Sequence, residues 1–399
     1  GNKETKGNQD TNSVTIFKNY GRGVATCRDD WAYNYDRAKL MAKIKNFIEV
    51  YNAEVDHWRR RGNSNITIDA FVTYEDTKIK WSRDLKLDLQ RGHYAEFSET
   101  KVRTSMYRPF CKRWLFFDRV LNEEVYQFPH TFPNKQSELD NAVICLSGIG
   151  SSKPFHCLAV NCIPDLHLTG DAQCFPYYTY NEDGTNRHEN ITGWTLKQFQ
   201  AKYGEQVSKW DIFHYVYAML HHPQYRERYA ENLKRDLPHI PLLRRAEAYQ
   251  TAVKIGQILM DLHVRYEQQK PYPLTAIEDE TIPYEQLTCI TKMKLTPDRT
   301  AVVVSKGLTL AGIPDACFRY RLGNRSALEW AIDQYQVSTD TRSGITSDPN
   351  RLDDPEYIVR LVKQVVTVSV ETVELVDQLA QGVTMEDWME RSEKNTNEA

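Results

Sequence analysis

The stretch Met106–Arg119, MYRPFCKRWLFFDR, interleaves rings with cations: Tyr107, Phe110, Trp114, Phe116 and Phe117 among Arg108, Lys112, Arg113 and Arg119. Widened to Lys101, it holds six basic residues (Lys101, Arg103, Arg108, Lys112, Arg113, Arg119) and one acid, Asp118, in a chain of formal net charge −3. Two readings fit. A positive patch interleaved with aromatics suits a phosphate backbone with accessible bases. The plainer reading, a core strand Trp114–Phe117 flanked by solvated Arg and Lys, carries more weight from these residues alone. The rest of the chain has to decide between them.

With 399 residues the chain can hold two or three domains with sizeable cores. Hydrophobic content of 41% against 26% charged excludes a disordered or fibrous class. A net charge of −3 excludes a chain that is basic throughout, so any anionic partner must meet a local patch. The eight cysteines (27, 111, 145, 157, 162, 174, 289, 317) form no C-x-x-C pair and read as reduced, mostly buried thiols. No window approaches a membrane-spanning run of apolar residues, so no membrane partner is expected and a cytoplasmic location is the default. The polar opening, 1–13, reads as a disordered lead-in, and a start on Gly1 suggests a piece of a longer protein.

Working outward, Ile16–Tyr35 reads as two short extended runs around a Gly21-Arg22-Gly23 turn that displays Arg22 at its tip. Asp36–Arg61 is the clearest helix, with Leu40, Ile44, Phe47, Tyr51, Val55 and Trp58 in phase, Asp36 as cap and Gly62 as stop. Ile66–Val72 reads as a strand and Ser82–Gln90 as a short helix. Asn141–Ser147, Phe155–Asn161 and Gln173–Tyr180 read as further strands. From Thr195 the pattern turns helical: Thr195–Tyr203, Ser208–His221, a helix opening at Pro223, and Arg244–Gln269. Strands follow at Leu287–Leu295 and Ala301–Ser305, then helices at Ser326–Gln336, with a Ser326/Glu329 capping box, and Glu356–Leu379. The expected fold class is mixed α/β, an α+β arrangement in which a strand-rich part packs against a helical layer. The expected units are a recognition region over 14–270 (strand-rich 14–194, helical 195–270), a Pro-rich acidic linker 271–285, a C-terminal α/β segment 286–381 and a fraying tail 382–399.

Catalytic signatures are missing. There is no Walker loop, dinucleotide fingerprint, H-E-x-x-H, G-x-S-x-G or N-P-P-[YF]. Ser147–Lys153, SGIGSSK, has the composition of a phosphate loop without its spacing or a following helix; it reads as a strand connection whose N–H groups and Lys153 could touch a phosphate. His156, Cys157, Cys162 and His167 match no common zinc module, so no metal is expected. The histidines of Asp211–His222 read as hydrogen-bonded structural residues.

Several stretches resemble the carboxy-terminal part of type ISP restriction-modification enzymes, single-polypeptide helicase–methyltransferase proteins of bacteria. They are GVATCRDDWAYNY (Gly23–Tyr35), IKWSRDLK (Ile79–Lys86), YRPFCKRWLFFD (Tyr107–Asp118) and IPDLHL (Ile163–Leu168), then two long ones. The long ones are DIFHYVYAMLHHPQYRERYAENLKRDLPHIPL (Asp211–Leu242) and NRSALEWAIDQYQVSTDTRSGITSDPNR (Asn324–Arg351). The resemblance implies the target recognition domain, with nuclease, helicase and adenine-N6 methyltransferase upstream in the parent polypeptide. It implies no cofactor in this fragment, and S-adenosylmethionine, ATP and Mg2+ upstream. Cys111 departs from the family's pattern, where an acidic residue is expected; if that acid normally pairs Arg108 or Arg113, something else must do so here.

The expected function is therefore sequence-specific recognition of double-stranded DNA by a module without catalytic machinery of its own. The candidate DNA contacts are Arg22, Arg28, Lys80, Arg83, Arg108, Lys112, Arg113 and Lys153. Arg325, Arg342 and Ser343 are weaker candidates, because the loop they flank could instead lock two parts of the domain together. In this reading Trp114–Phe117 is core, with Arg108, Lys112 and Arg113 as exposed partners on the opposite face. One alternative is a docking scaffold for the methyltransferase or motor that uses the Tyr-rich helices between Asp211 and Tyr266. A second is an unrecognised hydrolase using a Cys or His.

Overall fold

The opening stretch folds as a hairpin, Val102–Arg108 paired antiparallel with Cys111–Phe116, in a computed structural model that describes residues 15–61 and 65–388. Pro109 and Phe110 make the turn, and Phe110 takes a positive φ of 57°, a backbone region that bulky residues rarely adopt. Burial offsets that cost: the ring is fully buried and meets Tyr266 and Tyr320 edge-on at 5.2 and 6.2 Å. The hairpin sits inside a four-stranded sheet, with Tyr33–Asn34 beside Cys111–Phe116 and Ile163–Pro164 running parallel to Val102–Arg108.

A second sheet has the order Gly21–Arg22, Gln173–Pro176, Val143–Leu146, Cys157–Val160, all antiparallel. Its strands VICL, in the sheet interior, and CLAV, at one edge, are buried at every position. The period-two alternation of a strand then feeds two different cores. Val143, Cys145, Leu158 and Val160 face one hydrophobic cluster, while Ile144, Leu146, Cys157 and Ala159 face another. The second of these is closed by the helices Gly193–Tyr203, Lys209–His221 and Ala246–Val264. A third cluster, from Trp31 to Leu121, lies under the amphipathic helix Arg37–Arg60 and its neighbour Arg83–Arg91.

Side-chain caps open several of the helices. Asp36 accepts from the Lys39 amide, Ser82 from Leu85, and both Ser208/Asp211 and Ser326/Glu329 form reciprocal capping boxes. Tyr357–Gly382 is a helix throughout despite the alternating valines 366, 368 and 370, since an all-apolar stripe serves a helix buried on most sides equally well.

Four expectations are corrected. Ile66–Val72 is not a strand: Thr67 caps a helical turn, Ile68–Phe71, by accepting from Ala70. Gly21-Arg22-Gly23 is not a turn: Gly21–Arg22 is an edge strand paired with Gln173–Cys174, and Gly23 after it is required because a Cβ there would lie 2.5 Å from the Asp165 carbonyl oxygen. The acidic segment 271–285 is not a bare linker, since Thr275–Glu278 pairs with Leu308–Ala311 in a third four-stranded sheet. One cluster joins residues from both sides of that segment, Tyr266 and Leu274 with Val302 and Leu310. The tail does not fray at Gly382. Asp387 holds Arg245 at 2.7 Å, and Val383 accepts from His222 at 2.9 Å. The lead-in 1–13, Gly62 and the tail beyond Trp388 lie outside the described residues.

Histidine burial gives the fold a pH dependence. Burial pushes the imidazoles down, His263 to about 3 and both His156 and His214 to about 4. His263 is held neutral between the Tyr217 hydroxyl at 2.6 Å and Thr372 Oγ1 at 2.9 Å. Because the unfolded chain binds protons at these sites first, stability is full above the ordinary histidine range and falls as pH drops through it. Acidification from neutrality to about pH 5 is expected to remove about 2 kcal/mol for each fully buried histidine. The raised carboxyls of Asp165 and Glu138 work in the opposite sense, so the histidine sum is an upper bound. Urea unfolding at the two pH values measures the difference, and an equal midpoint would refute it.

Candidate nucleic-acid interface

The structure sorts the candidate cations by whether their charge is already neutralised. Arg28 is about 1% exposed and donates to the Lys80 carbonyl at 3.2 Å, to the Leu121 carbonyl and to Ser82 Oγ. Burial lowers its pKa to about 10, and its remaining charge faces Glu123 at 3.9 Å. It is a core pin tying three loops, not a surface contact.

Arg108, Lys112 and Arg113 are likewise turned inward, contrary to the expected exposed face. Arg108 donates to Asp165 Oδ1 at 2.6 Å, lies 3.8 Å from Asp29 and covers the Tyr107 ring at 3.9 Å. Lys112 pairs with Glu267 at 2.6 Å, fastening the hairpin to the segment after Ala246–Val264. Arg113 lies between the Tyr35 and Tyr107 rings at 4.4 and 4.0 Å and donates to the Tyr35 hydroxyl at 3.0 Å. Asp165 is the hub, since it also accepts from the Tyr33 hydroxyl at 3.1 Å and the His167 amide at 2.8 Å. Burial pushes its carboxyl up, to about 6, against the pull of Arg108. This answers the question raised by Cys111: with no acid in the turn, the carboxylate for Arg108 comes from Asp165 on the neighbouring strand's extension, and aromatic faces hold Arg113. Sequence reading missed Asp165, although it stands inside a quoted motif, because nothing local joins it to Arg108.

The remaining candidates are on the surface. Arg22 is exposed on its edge strand, loosely opposite Asp171 at 4.0 Å. Asp171 in turn abuts Gly148, and the Gly148 amide donates to the Gly170 carbonyl at 2.8 Å. Lys153, at the far end of the same Ser147–Lys153 loop, is exposed and reaches the hairpin Arg321–Ser326, its Cδ lying 3.7 Å from the Cβ position of Gly323. That hairpin carries exposed Arg321 and half-exposed Arg325, which pairs with Asp333 at 2.7 Å. Arg22 thus reaches this loop through Asp171, and Lys153 on it approaches the hairpin that carries Arg325, whose own side chain turns to Asp333 and Trp330.

Lys80, half-buried, and Arg83, exposed, lie around the cap of Arg83–Arg91. Arg342 is exposed at the tip of the hairpin Ser338–Thr339/Thr346–Ser347, whereas Ser343 is buried and bonds Asp340 within the turn. Ile345 of this hairpin packs on the cluster under Arg37–Arg60, so the loop does join two parts of the molecule.

The tyrosines of the proposed docking helices are mostly interior: Tyr215, Tyr217, Tyr225, Tyr249 and Tyr266 are all buried, so these rings are not offered to a partner. Cys157 lies 3.6 Å from His221 Nδ1, yet burial raises its thiol to about 11, the reverse of nucleophile activation. Among the described residues no His/Cys/Asp/Glu group could hold a metal ion, and no helix is long and apolar enough to cross a membrane.

Fold and surface thus define a mixed α/β module of small, mainly antiparallel sheets enclosed by helices, with Arg22, Lys153 and Arg342 exposed on an edge strand, a loop and a hairpin. Residues 15–361 match the family model described as the Type ISP C-terminal specificity domain. The chain belongs to that family. Several solved structures resemble it, among them the following three. A nuclease-deletion mutant of the Type ISP restriction-modification enzyme LlaGI, in complex with a DNA substrate mimic, is 36% identical with a TM-score of 0.81, over 92% of this chain and 33% of that one. The ATP-dependent Type ISP enzyme LlaBIII bound to DNA is 31% identical, TM-score 0.81, over 94% and 24%. The DrdV–DNA complex is 34% identical, TM-score 0.80, over 98% and 38%. The chain thus spans between about a quarter and two fifths of these relatives. No curated protein matches it.

Proposed function

We propose that this chain recognises the target sequence in double-stranded DNA for a longer type ISP enzyme. The observation that carries the reading is the likeness, across more than nine tenths of the chain, to three DNA-bound enzymes of about one-third identity. In this reading the chain has no catalytic centre of its own. It positions an upstream adenine-N6 methyltransferase and helicase-nuclease, which would hold S-adenosylmethionine, ATP and Mg2+, and the parent enzyme works in the cytoplasm.

Of the candidate cations, Arg22, Lys80, Arg83, Lys153, Arg325 and Arg342 remain near the surface to meet phosphates, and these set register while neighbouring polar side chains read base edges. Exposed pairs such as Arg325–Asp333 exchange readily for phosphate, because a surface ion pair stabilises by only about 0–1 kcal/mol. Arg28, Arg108, Lys112 and Arg113 act instead as the internal frame.

Anisotropy with labelled duplex across about 50 to 200 mM salt tests this, since each phosphate contact adds roughly 0.9 to the log–log slope. Lys153→Ala with Arg325→Ala is expected to lower affinity roughly tenfold and the slope by nearly 2, in a chain that stays folded. Salt-insensitive binding, or none, would instead favour a protein-docking role.

A further inference from the structure

Single exposed aliphatic side chains are common on protein surfaces and usually carry no information. Ile149 differs in how it is held and in what surrounds it. It is 51% exposed between Gly148 and Gly150 at the tip of the Ser147–Lys153 loop. Three backbone hydrogen bonds fix the loop: Gly148 donates to the Gly170 carbonyl at 2.8 Å, Gly150 to the Lys234 carbonyl at 2.7 Å, and Ser151 to the Gly148 carbonyl at 3.2 Å. Gly150 turns the chain at a φ of +82°, and Gly148 is pressed so closely on Asp171 that no Cβ fits. The tip is therefore a rigid mount for one branched aliphatic side chain.

Its surroundings are cationic. Lys153 is on the same loop, Arg22 lies across Asp171, Lys234 is the residue to which the loop is bonded, and Arg321 and Arg325 are on the hairpin Lys153 touches. The acids nearby are Asp171, Glu231, Asp236 and Asp333; Asp171, Glu231 and Asp333 are engaged with Arg22, Lys234 and Arg325 respectively, and Asp236 faces His239. The three most exposed of the other aliphatics sit differently. Leu139 is flanked by Glu138 and Asp140, Leu352 by Asp353 and Asp354, and Ile277 by Glu278, settings that repel a phosphate backbone.

We propose that Ile149 is an apolar wedge that enters the base stack of the bound duplex and parts one base step, with Arg22, Lys153 and Arg325 holding the flanking phosphates. The inference rests on the duplex-DNA reading given above. An aliphatic side chain placed between bases unstacks and kinks a duplex, and phosphate contacts on either side supply the compensating energy. Such a wedge also suits a module working beside an extruded base, because it occupies the opened stack.

The test uses duplexes selected from a random pool by the chain itself, with 2-aminopurine moved one position at a time through the protected site. The wild-type chain is expected to raise 2-aminopurine fluorescence severalfold at one step. Ile149→Ser should abolish that rise and weaken binding roughly tenfold, the lost contact being partly offset by the unstacking no longer incurred. It should leave the salt slope unchanged, since the phosphate contacts persist. Ile149→Met should retain the signal. A fluorescence rise that survives Ile149→Ser, or a wild-type complex with no unstacked step, would overturn the wedge. Failure of the wild-type chain to select or bind any duplex would overturn the reading beneath it, a distinct result.

Discussion

Arg108→Ala is expected to lower the stability of the chain by about 3–5 kcal/mol at neutral pH, the cost of leaving a buried carboxylate without its cation. Asp165 is about 2% exposed, and Arg108 Nη1 at 2.6 Å is its closest charged partner. The Tyr33 hydroxyl and His167 amide would remain, but neither carries the compensating charge. Burial already raises the Asp165 carboxyl; without Arg108 it rises further, so the variant recovers stability as pH falls and the group takes a proton. The penalty is therefore larger at pH 7.5 than at pH 5. Adding Asp165→Asn should restore much of the loss, since removing both charges is far less costly than removing one. Denaturant unfolding of the two single variants and the double variant closes the cycle. An Arg108→Ala chain as stable as wild type would show that the network is not the frame described here. Reduced DNA binding by such a variant would report this collapse and not a lost phosphate contact.

Gly256→Ala is the second large effect, a loss of about 3 kcal/mol. A Cβ at Gly256 would lie 1.9 Å from the His214 carbonyl oxygen and 2.7 Å from its carbon, both backbone atoms of the facing helix Lys209–His221. Backbone in a hydrogen-bonded helix cannot swing aside as a side chain can. The two helices would have to part, opening the contacts of Ala218 and Leu259 in the cluster that covers the Val143–Leu146 strand. Gly193→Ala is the control, because nothing lies within 4 Å of its Cβ position at the first turn of Gly193–Tyr203. It should change stability by less than about 0.5 kcal/mol or raise it slightly. Thermal melting of both variants suffices, and equal midpoints would contradict the packing argument.

These two sites show where sequence reading stops. Gly256 was visible on the apolar phase of its helix with Tyr249 and Leu259, but its purpose is a close approach to a residue more than forty positions earlier. The hairpin was visible as rings and cations, yet both simple readings of it were incomplete. Its cations are neither solvated nor available: Arg108 and Lys112 meet carboxylates, and Arg113 meets tyrosine rings, brought from 57, 155 and 78 residues away. Ile149 was passed over because the loop was read for its resemblance to a phosphate cradle rather than for what its tip displays.

By itself the sequence determined the elements whose causes are local. The helix Arg37–Arg60 follows from the spacing of its apolar residues and the Asp36 cap, and the capping box at Ser326 starts its helix in the expected place. Long family-like stretches also determined the family, since they record the whole pattern without requiring any contact to be known. Only the tertiary structure decided which charges remain for a partner. Neutralisation acts through a few ångströms of space, and a carboxylate such as Asp165 reaches Arg108 only once Ile163–Pro164 lies alongside Val102–Arg108. The same pairing of distant strands brought Arg22, opposite Asp171, to the loop that carries Lys153, because sheet register, not sequence proximity, sets which loops share an edge.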